Sequence, residues 1–259
     1  MMTWTILGSG THVASSRRGS PGHLLRAGKT EILVDCGAGA FHGIARAGSS
    51  PSRIAGCLVT HLHPDHVTDL APLLFRLRNI AKEEEEEKTI YLFGPSGLEV
   101  FVNALRLLHV PFLDSKYLKV EVAESAEGEI SFPGVEVRSV PVAHGVEALA
   151  YSFQGDDGRR VVYSGDTGRS AELIRFARGA ELLVIEASFP NGNPRPFHLT
   201  PAEAAVIAAE AEVGRVVLVH LNPECDDVDL IEQCGDRFRG EIVIGEDGLS
   251  ISVGEGGEG

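Results

Sequence analysis

Thr60-His61-Leu62-His63-Pro64-Asp65-His66 gathers four metal-competent side chains into six residues of a chain that has only ten histidines. Neutral imidazole and carboxylate together suit zinc, manganese or iron. Alternate residues of an extended segment point the same way, so His61 and His63 are placed to share one ion while Asp65 and His66 face another. The cluster reads as half of a two-metal site.

Outward from it, short apolar runs alternate with glycine punctuation. Strands are expected over 3–7, 23–27, 31–34 and 57–60, the last running into the cluster. Gly8-Ser9-Gly10 reads as a turn, because the full phosphate-cradling GxGxxG is absent. Asp35, ahead of Cys36-Gly37-Ala38-Gly39, either caps that turn or orients a ligand histidine from behind the metals. Helices are expected over 41–47, 69–77 and 98–108, with a strand at 91–94 between the last two. The second half repeats the alternation, with strands at 135–140, 148–153, 161–164, 182–186 and 216–220. Its helices are expected over 171–177 and 201–211, the latter opened by Thr200 as N-cap.

Length and 43% hydrophobic content are enough for one sizeable core, so a single domain is expected over residues 1–253. Residues 254–259, without an apolar anchor, are expected to form a disordered tail. A formal charge of −14 disfavours a long nucleic-acid footprint, and only small basic pairs such as Arg17-Arg18 and Arg159-Arg160 oppose it. Glu83 to Glu87 reads as a solvated surface run, since like charges without fixed geometry bind ions weakly. Cys36, Cys57, Cys225 and Cys234 are too few and too irregular for a disulfide framework and are expected to be reduced. The opening residues lack a basic and apolar leader, and no apolar stretch is long enough to span a membrane. A soluble cytoplasmic protein is the expectation.

A two-metal centre needs further ligands, best held at strand ends that aim them into one cleft. Three residues stand there: His144 after the strand from 135, Asp166 within Ser164-Gly165-Asp166-Thr167, and His220 after 216–219. Each alone is an ordinary strand-end polar residue. In series with His61-Leu62-His63-Pro64-Asp65-His66, however, they resemble the ordered motifs of the metallo-β-lactamase superfamily. That resemblance implies an α/β fold of four layers, an αββα sandwich with the metals in a cleft at one edge. It also implies that His61, His63 and His144 hold one divalent ion, that Asp65, His66 and His220 hold the other, and that Asp166 bridges them. Zinc is the expected metal, with manganese or iron also suited to the ligand set.

Such a pair of ions would activate a shared water, so a metal-bridging hydroxide is the expected nucleophile, with Asp65 orienting it or taking its proton. Ile185-Glu186-Ala187-Ser188-Phe189, followed by Phe197-His198-Leu199-Thr200, resembles the ribonuclease Z branch, as does Gly8-Ser9-Gly10-Thr11 with Arg17 and Arg18 behind it. By that resemblance His198 is the general acid and Glu186 its partner; otherwise His198 packs at the mouth of the following helix. An alkoxide leaving group gains most from such an acid, which points to a phosphodiesterase.

The chain departs from that branch in two places. Only a short hairpin fits between His144 and Asp166 where the branch carries its tRNA-clamping arm, the remaining candidate insert being 115–129. Soon after His220, where the branch commonly carries an Arg-Tyr pair that steadies phosphate, the chain has the acidic Glu224-Cys225-Asp226-Asp227 instead. A small phosphodiester, such as a cyclic nucleotide or a phosphonate-pathway diester, is therefore expected over tRNA. Hydrolysis of a carboxylic ester, lactone or sulfate ester on the same metals is the alternative, with a non-catalytic metal sensor behind it. Relatives of this branch often pair as homodimers, and Cys225, His12, His23, His42 and His109 are expected to have packing or surface roles.

Overall fold

The structure is a computed structural model, and it describes residues 1–113 and 116–254. The first half runs β1 (Met2–Gly8), β2 (Gly22–Ala27), β3 (Thr30–Cys36), α1 (Ala40–Arg46), β4 (Ile54–Leu58), α2 (Pro64–Val67) and α3 (Leu70–Glu83). It continues with β5 (Lys88–Gly94), α4 (Leu98–Leu108) and β6 (Leu118–Glu124). The second half runs β7 (Gly128–Phe132), β8 (Val135–Pro141), β9 (Leu149–Gly155), β10 (Arg160–Tyr163), α5 (Ala171–Ala177) and β11 (Leu182–Glu186). Then come α6 (Pro201–Glu210), β12 (Arg215–Val219), α7 (Leu230–Cys234), β13 (Glu241–Ile244) and β14 (Ser250–Val253).

The strands form two seven-stranded sheets, ordered β14-β1-β2-β3-β4-β5-β6 and β13-β12-β11-β10-β9-β8-β7. Both are mixed: β3 to β6 run parallel, as do β10 to β13, while the remaining neighbours are antiparallel. Between the sheets lies a core of large side chains, Trp4, Ile32, Tyr151, Phe153 and Tyr163 among them. A second cluster seals one sheet under α5, α6 and α7, and a third seals the other under α1, α3 and α4. The result is the expected αββα layering, because the inner strands of the parallel sets, such as β3, β4, β11 and β12, are apolar on both faces and need a covering on each.

Direction in the sheets decides where the site forms. β4 runs with β3, and β8, β10 and β12 run the same way as one another through β9 and β11, so the ends that precede His61, His144, Asp166 and His220 share an edge in each sheet. Carboxyl ends of parallel strands are where open α/β sheets place ligands.

Two expectations change. The candidate insert at 115–129, whose first residue lies outside the described residues, is not an insert over 116–129: from Leu118 onward it supplies β6, an edge strand of one sheet, and begins β7 at the edge of the other. The signal was there to read, since Leu118, Val120 and Val122 alternate with more exposed residues as a half-covered edge strand does. The metal segment is not extended throughout either, because Pro64 at the first helical position turns Pro64–Val67 into one helical turn. The expected disorder at 254–259 concerns residues 255–259, which lie outside the described residues.

α6 is set by its first residues. Thr200 accepts from the Glu203 backbone N–H while the Glu203 carboxylate accepts from Thr200 N, with Pro201 opening the helix. Thr200→Ala removes the cap and is expected to lower stability by about 1 kcal/mol in urea-induced unfolding.

Candidate metal centre

The edge brings all seven predicted ligands together. His61, His63, His144 and Asp166 each offer a ligand atom within 4.8 Å of the others, Asp65, His66 and His220 form a second such group, and Asp166, His198 and His220 a third. Asp166 sits centrally: its carboxylate lies 3.8 Å from His61 Nε2, 3.4 Å from His66 Nε2 and 3.3 Å from His220 Nε2. Asp65 lies 3.8 Å from His66 Nε2 and 3.6 Å from His220 Nε2, while His63 Nδ1 lies 2.9 Å from His61 Nε2 and 3.4 Å from His144 Nε2.

Whether these residues fit a metal is answered by their unpaired atoms. His66 Nε2, Asp166 Oδ1 and His220 Nε2 are buried without a hydrogen-bond partner, and all three point into the same small volume. A buried polar atom left alone is costly, and a cation between nitrogen and oxygen donors removes that cost. The donor set fits divalent metal.

Behind the ligands, fixed acceptors choose which ring nitrogen faces inward. His66 Nδ1 donates to Asp35 Oδ2 at 2.8 Å and His144 Nδ1 donates to the Phe197 carbonyl at 3.2 Å, leaving Nε2 of each ring toward the cleft. Asp35 also accepts from Thr60 N, Thr60 Oγ1 and Tyr163 OH, all at 2.8–3.1 Å. Of the two readings for Asp35, its bonds to His66 Nδ1 and Thr60 N support ligand orientation, and α1, which follows that turn, starts after Gly39 without a side-chain cap. Thr60 and Tyr163 were not singled out from sequence, and nothing in their local pattern distinguishes them from core residues.

The backbone is bent to make these contacts. Asp35, His220 and Phe197 adopt φ of 55°, 54° and 63°, a region that non-glycine residues seldom visit. Gly37 is required by close approach, since a Cβ there would meet the Asp65 carbonyl oxygen at 1.8 Å.

Electrostatics follow the packing. Burial opposes charge on His66, yet the carboxylates of Asp166 and Asp35 outweigh it and hold its pKa well above the usual value. Burial likewise opposes ionisation of Asp166, but the imidazoles of His220 and His66 hold its pKa well below the carboxylate range. His61 has burial and the neighbouring His66 against it and is held well down. Beneath the centre, His23 packs against Trp4 and Tyr163, and burial with the nearby His66 and His220 lowers its pKa to about 3.

The second predicted pair also meets. His198 Nδ1 lies 3.0 Å from Glu186 Oε1, and its ring stacks on His220 at 5.8 Å with an interplanar angle of 8°. Burial lowers the His198 pKa, but the Glu186 carboxylate reverses this and leaves it raised. Ser188, quoted in the sequence reading but given no role there, stands between Glu186 and His220. Its signal was available: two residues beyond Glu186 on an extended segment, it faces the same side. Cys225 is buried with its Sγ against the Ala187 and Ser188 carbonyls, and burial pushes its thiol up to about 12. Arg18 is structural, clasping Asp226, Ser9 and the Gly245 carbonyl. His12, His23, His42 and His109 join none of the ligand groups among the described residues.

Residues 30–221 match the family profile of the β-lactamase superfamily domain. The chain belongs to the metallo-β-lactamase superfamily. Within it the sequence is ribonuclease Z-like: it is 32% identical to the ribonuclease Z of Mycobacterium sp. strain KMS, over 98% of this chain and 96% of that one. The metallo-β-lactamase fold protein YhfI from Bacillus subtilis superposes with a TM-score of 0.82 at 23% identity, covering 97% of this chain and 100% of its own. The short form of human tRNase Z gives 0.78 at 22%, covering 97% and 99%. At those identities the two solved structures speak to the fold.

Asp35→Asn replaces one of two accepting oxygens with an NH2 donor, so the Thr60 N–H and His66 Nδ1 can no longer both be accepted. Metal affinity is expected to fall about 10–100-fold in a chelator competition titration, with far-ultraviolet circular dichroism unchanged.

Proposed function

We propose that this metal-dependent hydrolase cleaves phosphodiesters, with two divalent ions, zinc being the best suited, and with His198 as the proton donor to the leaving oxygen. His61, His63, His144 and Asp166 would hold one ion, and Asp65, His66, His220 and the shared Asp166 the other. Bound there, such ions supply an activated water and polarise the phosphoryl group.

The observation that carries the reading is the Glu186–His198 pair set against the ligand cluster. Glu186 is buried and fixed, so it holds His198 by Nδ1 and leaves the proton to be given on Nε2. The neighbouring carboxylate favours the protonated ring. Asp65, at the rim of the ligand group, would accept a proton from the attacking water. A proton donor of this kind helps a poor leaving group and is superfluous for an acidic one, which supports diesters of alcohols over activated esters.

A small diester is favoured over folded RNA. The connection between β9 and β10 holds only Asp156-Asp157-Gly158-Arg159, with no room for a clamping arm, and the chain carries a net charge of −14. Arg195 provides positive charge at the rim: its guanidinium lies over Phe189, whose ring contacts His198. RNA cleavage is the second reading, favoured by the full-length similarity to a ribonuclease Z. No described helix is long and apolar enough to cross a membrane, and the four buried free cysteines support a reducing, cytoplasmic setting. We place the whole activity in one folded unit over residues 1–253.

Zinc- or manganese-loaded protein is expected to hydrolyse bis(p-nitrophenyl) phosphate and to stop on chelation. A precursor tRNA cleaved faster than any small diester would favour the second reading, and a lactone, thioester or aryl sulfate cleaved instead would overturn both. His198→Ala is expected to slow alkyl leaving groups about 100-fold while sparing p-nitrophenolate, and equal losses would remove the proton-donor role. Arg195→Ala should raise KM for diesters bearing a further anionic group and leave kcat within about two-fold, since a rim charge acts chiefly on encounter.

A further inference from the structure

Ser188 occupies a position that neither the metal ligands nor the proton donor accounts for. Its side chain is fully buried, and its hydroxyl donates to Glu186 Oε2, a carboxylate oxygen that can only accept. With that hydrogen committed, the Ser188 oxygen is free to accept, and His220 Nδ1 stands 2.8 Å away as the donor. His220 is thereby held in the tautomer whose Nε2 carries a lone pair. That Nε2 has no hydrogen-bond partner and faces Asp166 at 3.3 Å and Asp65 at 3.6 Å.

The same carboxylate has other obligations. Glu186 Oε1 takes His198 Nδ1 at 3.0 Å and the Thr167 backbone N–H at 2.6 Å, and Oε2 takes the Leu199 backbone N–H at 3.0 Å as well as Ser188. These donors come from the loops that carry Asp166, His198 and His220's neighbour in space, so one buried anion registers three parts of the cleft. Ser188 is the link that adds the metal ligand to this set. Its own backbone is secured independently, because its carbonyl accepts from Asn222 N at 3.3 Å and Asn222 Nδ2 at 3.0 Å. Loss of the hydroxyl leaves those anchors in place.

We propose that Ser188 is a positioning residue that fixes the His220 tautomer and couples it, through Glu186, to His198, so that the metal ligand and the proton donor keep one relative geometry. The inference rests on the phosphodiesterase reading above for the role of His198, but its coordination half stands on His220 alone.

The test compares wild type, Ser188→Ala and Ser188→Thr as full-length protein, titrating zinc against a chromophoric chelator and following the melting of the metal-free forms. Ser188→Ala is expected to weaken one zinc equivalent about 10–100-fold while the other holds, with metal-free melting unmoved. Ser188→Thr, which keeps the hydroxyl, is expected to restore it. In the loaded enzymes Ser188→Ala should also slow alkyl leaving groups more than p-nitrophenolate. Wild-type zinc affinity in Ser188→Ala, or a weakening that Thr does not repair, would overturn the proposal. If Ser188→Ala does not fold, Ser188→Cys carries the same comparison, because a thiol is a poor donor and acceptor of similar size. A wild type that binds a single equivalent would sink the two-ion reading, while the Ser188 comparison on that equivalent would still decide this one.

Discussion

Buried nitrogen and oxygen atoms facing one another without protein partners are the constraint around which the molecule is arranged. His66 Nε2, Asp166 Oδ1 and His220 Nε2 would be a liability in a closed core, and they are tolerable only where a cation can sit among them. Everything beside them works to keep that arrangement from collapsing. Asp35 and Ser188 fill the far side of two rings, and each is itself bound by several groups, so no ring can rotate to satisfy itself locally.

Strain is placed at the same edge. Asp35 and His220 are held at positive φ immediately beyond or within the ends of parallel strands, where the ladder hydrogen bonds on the strand side over-determine the backbone. Phe197, in the loop ahead of α6, also has positive φ, and its carbonyl receives His144. Rigid sheets supply the direction and a few awkward residues supply the final turn toward the cleft. The layers of apolar packing on each side of both sheets are what keep those residues from relaxing.

The ligand set was legible because it is written in local grammar. His61 to His66 announces itself by crowding, and His144, Asp166 and His220 each follow an apolar run, so strand ends could be read from periodicity and the resemblance supplied their grouping. The four-layer architecture came with that resemblance; hydropathy alone could not have separated two stacked mixed sheets from one open sheet. What stayed hidden depends on distant chain segments. Tyr163 reaches Asp35 across 128 residues, and no spacing rule links them. The edge strands β6 and β7 carry a readable alternation, yet their charged and small residues also suit a loop, and that composition was followed instead. Asp35 remained open between two roles until Thr60 and His66 were found on its oxygens.

The pairing of β1 with β14 reaches beyond stability. Met2 to Thr5 lie against Ser250 to Val253, and Asp247, just ahead of β14, receives the Ser9 and Gly19 backbone at the cleft's flank. During synthesis β1 therefore waits with one side unsatisfied until β14 is made, and the contacts of Ser9 and Gly19 with Asp247 cannot form before then. That flank is thus assembled only after the ligand-bearing strands β4, β8, β10 and β12 have been made.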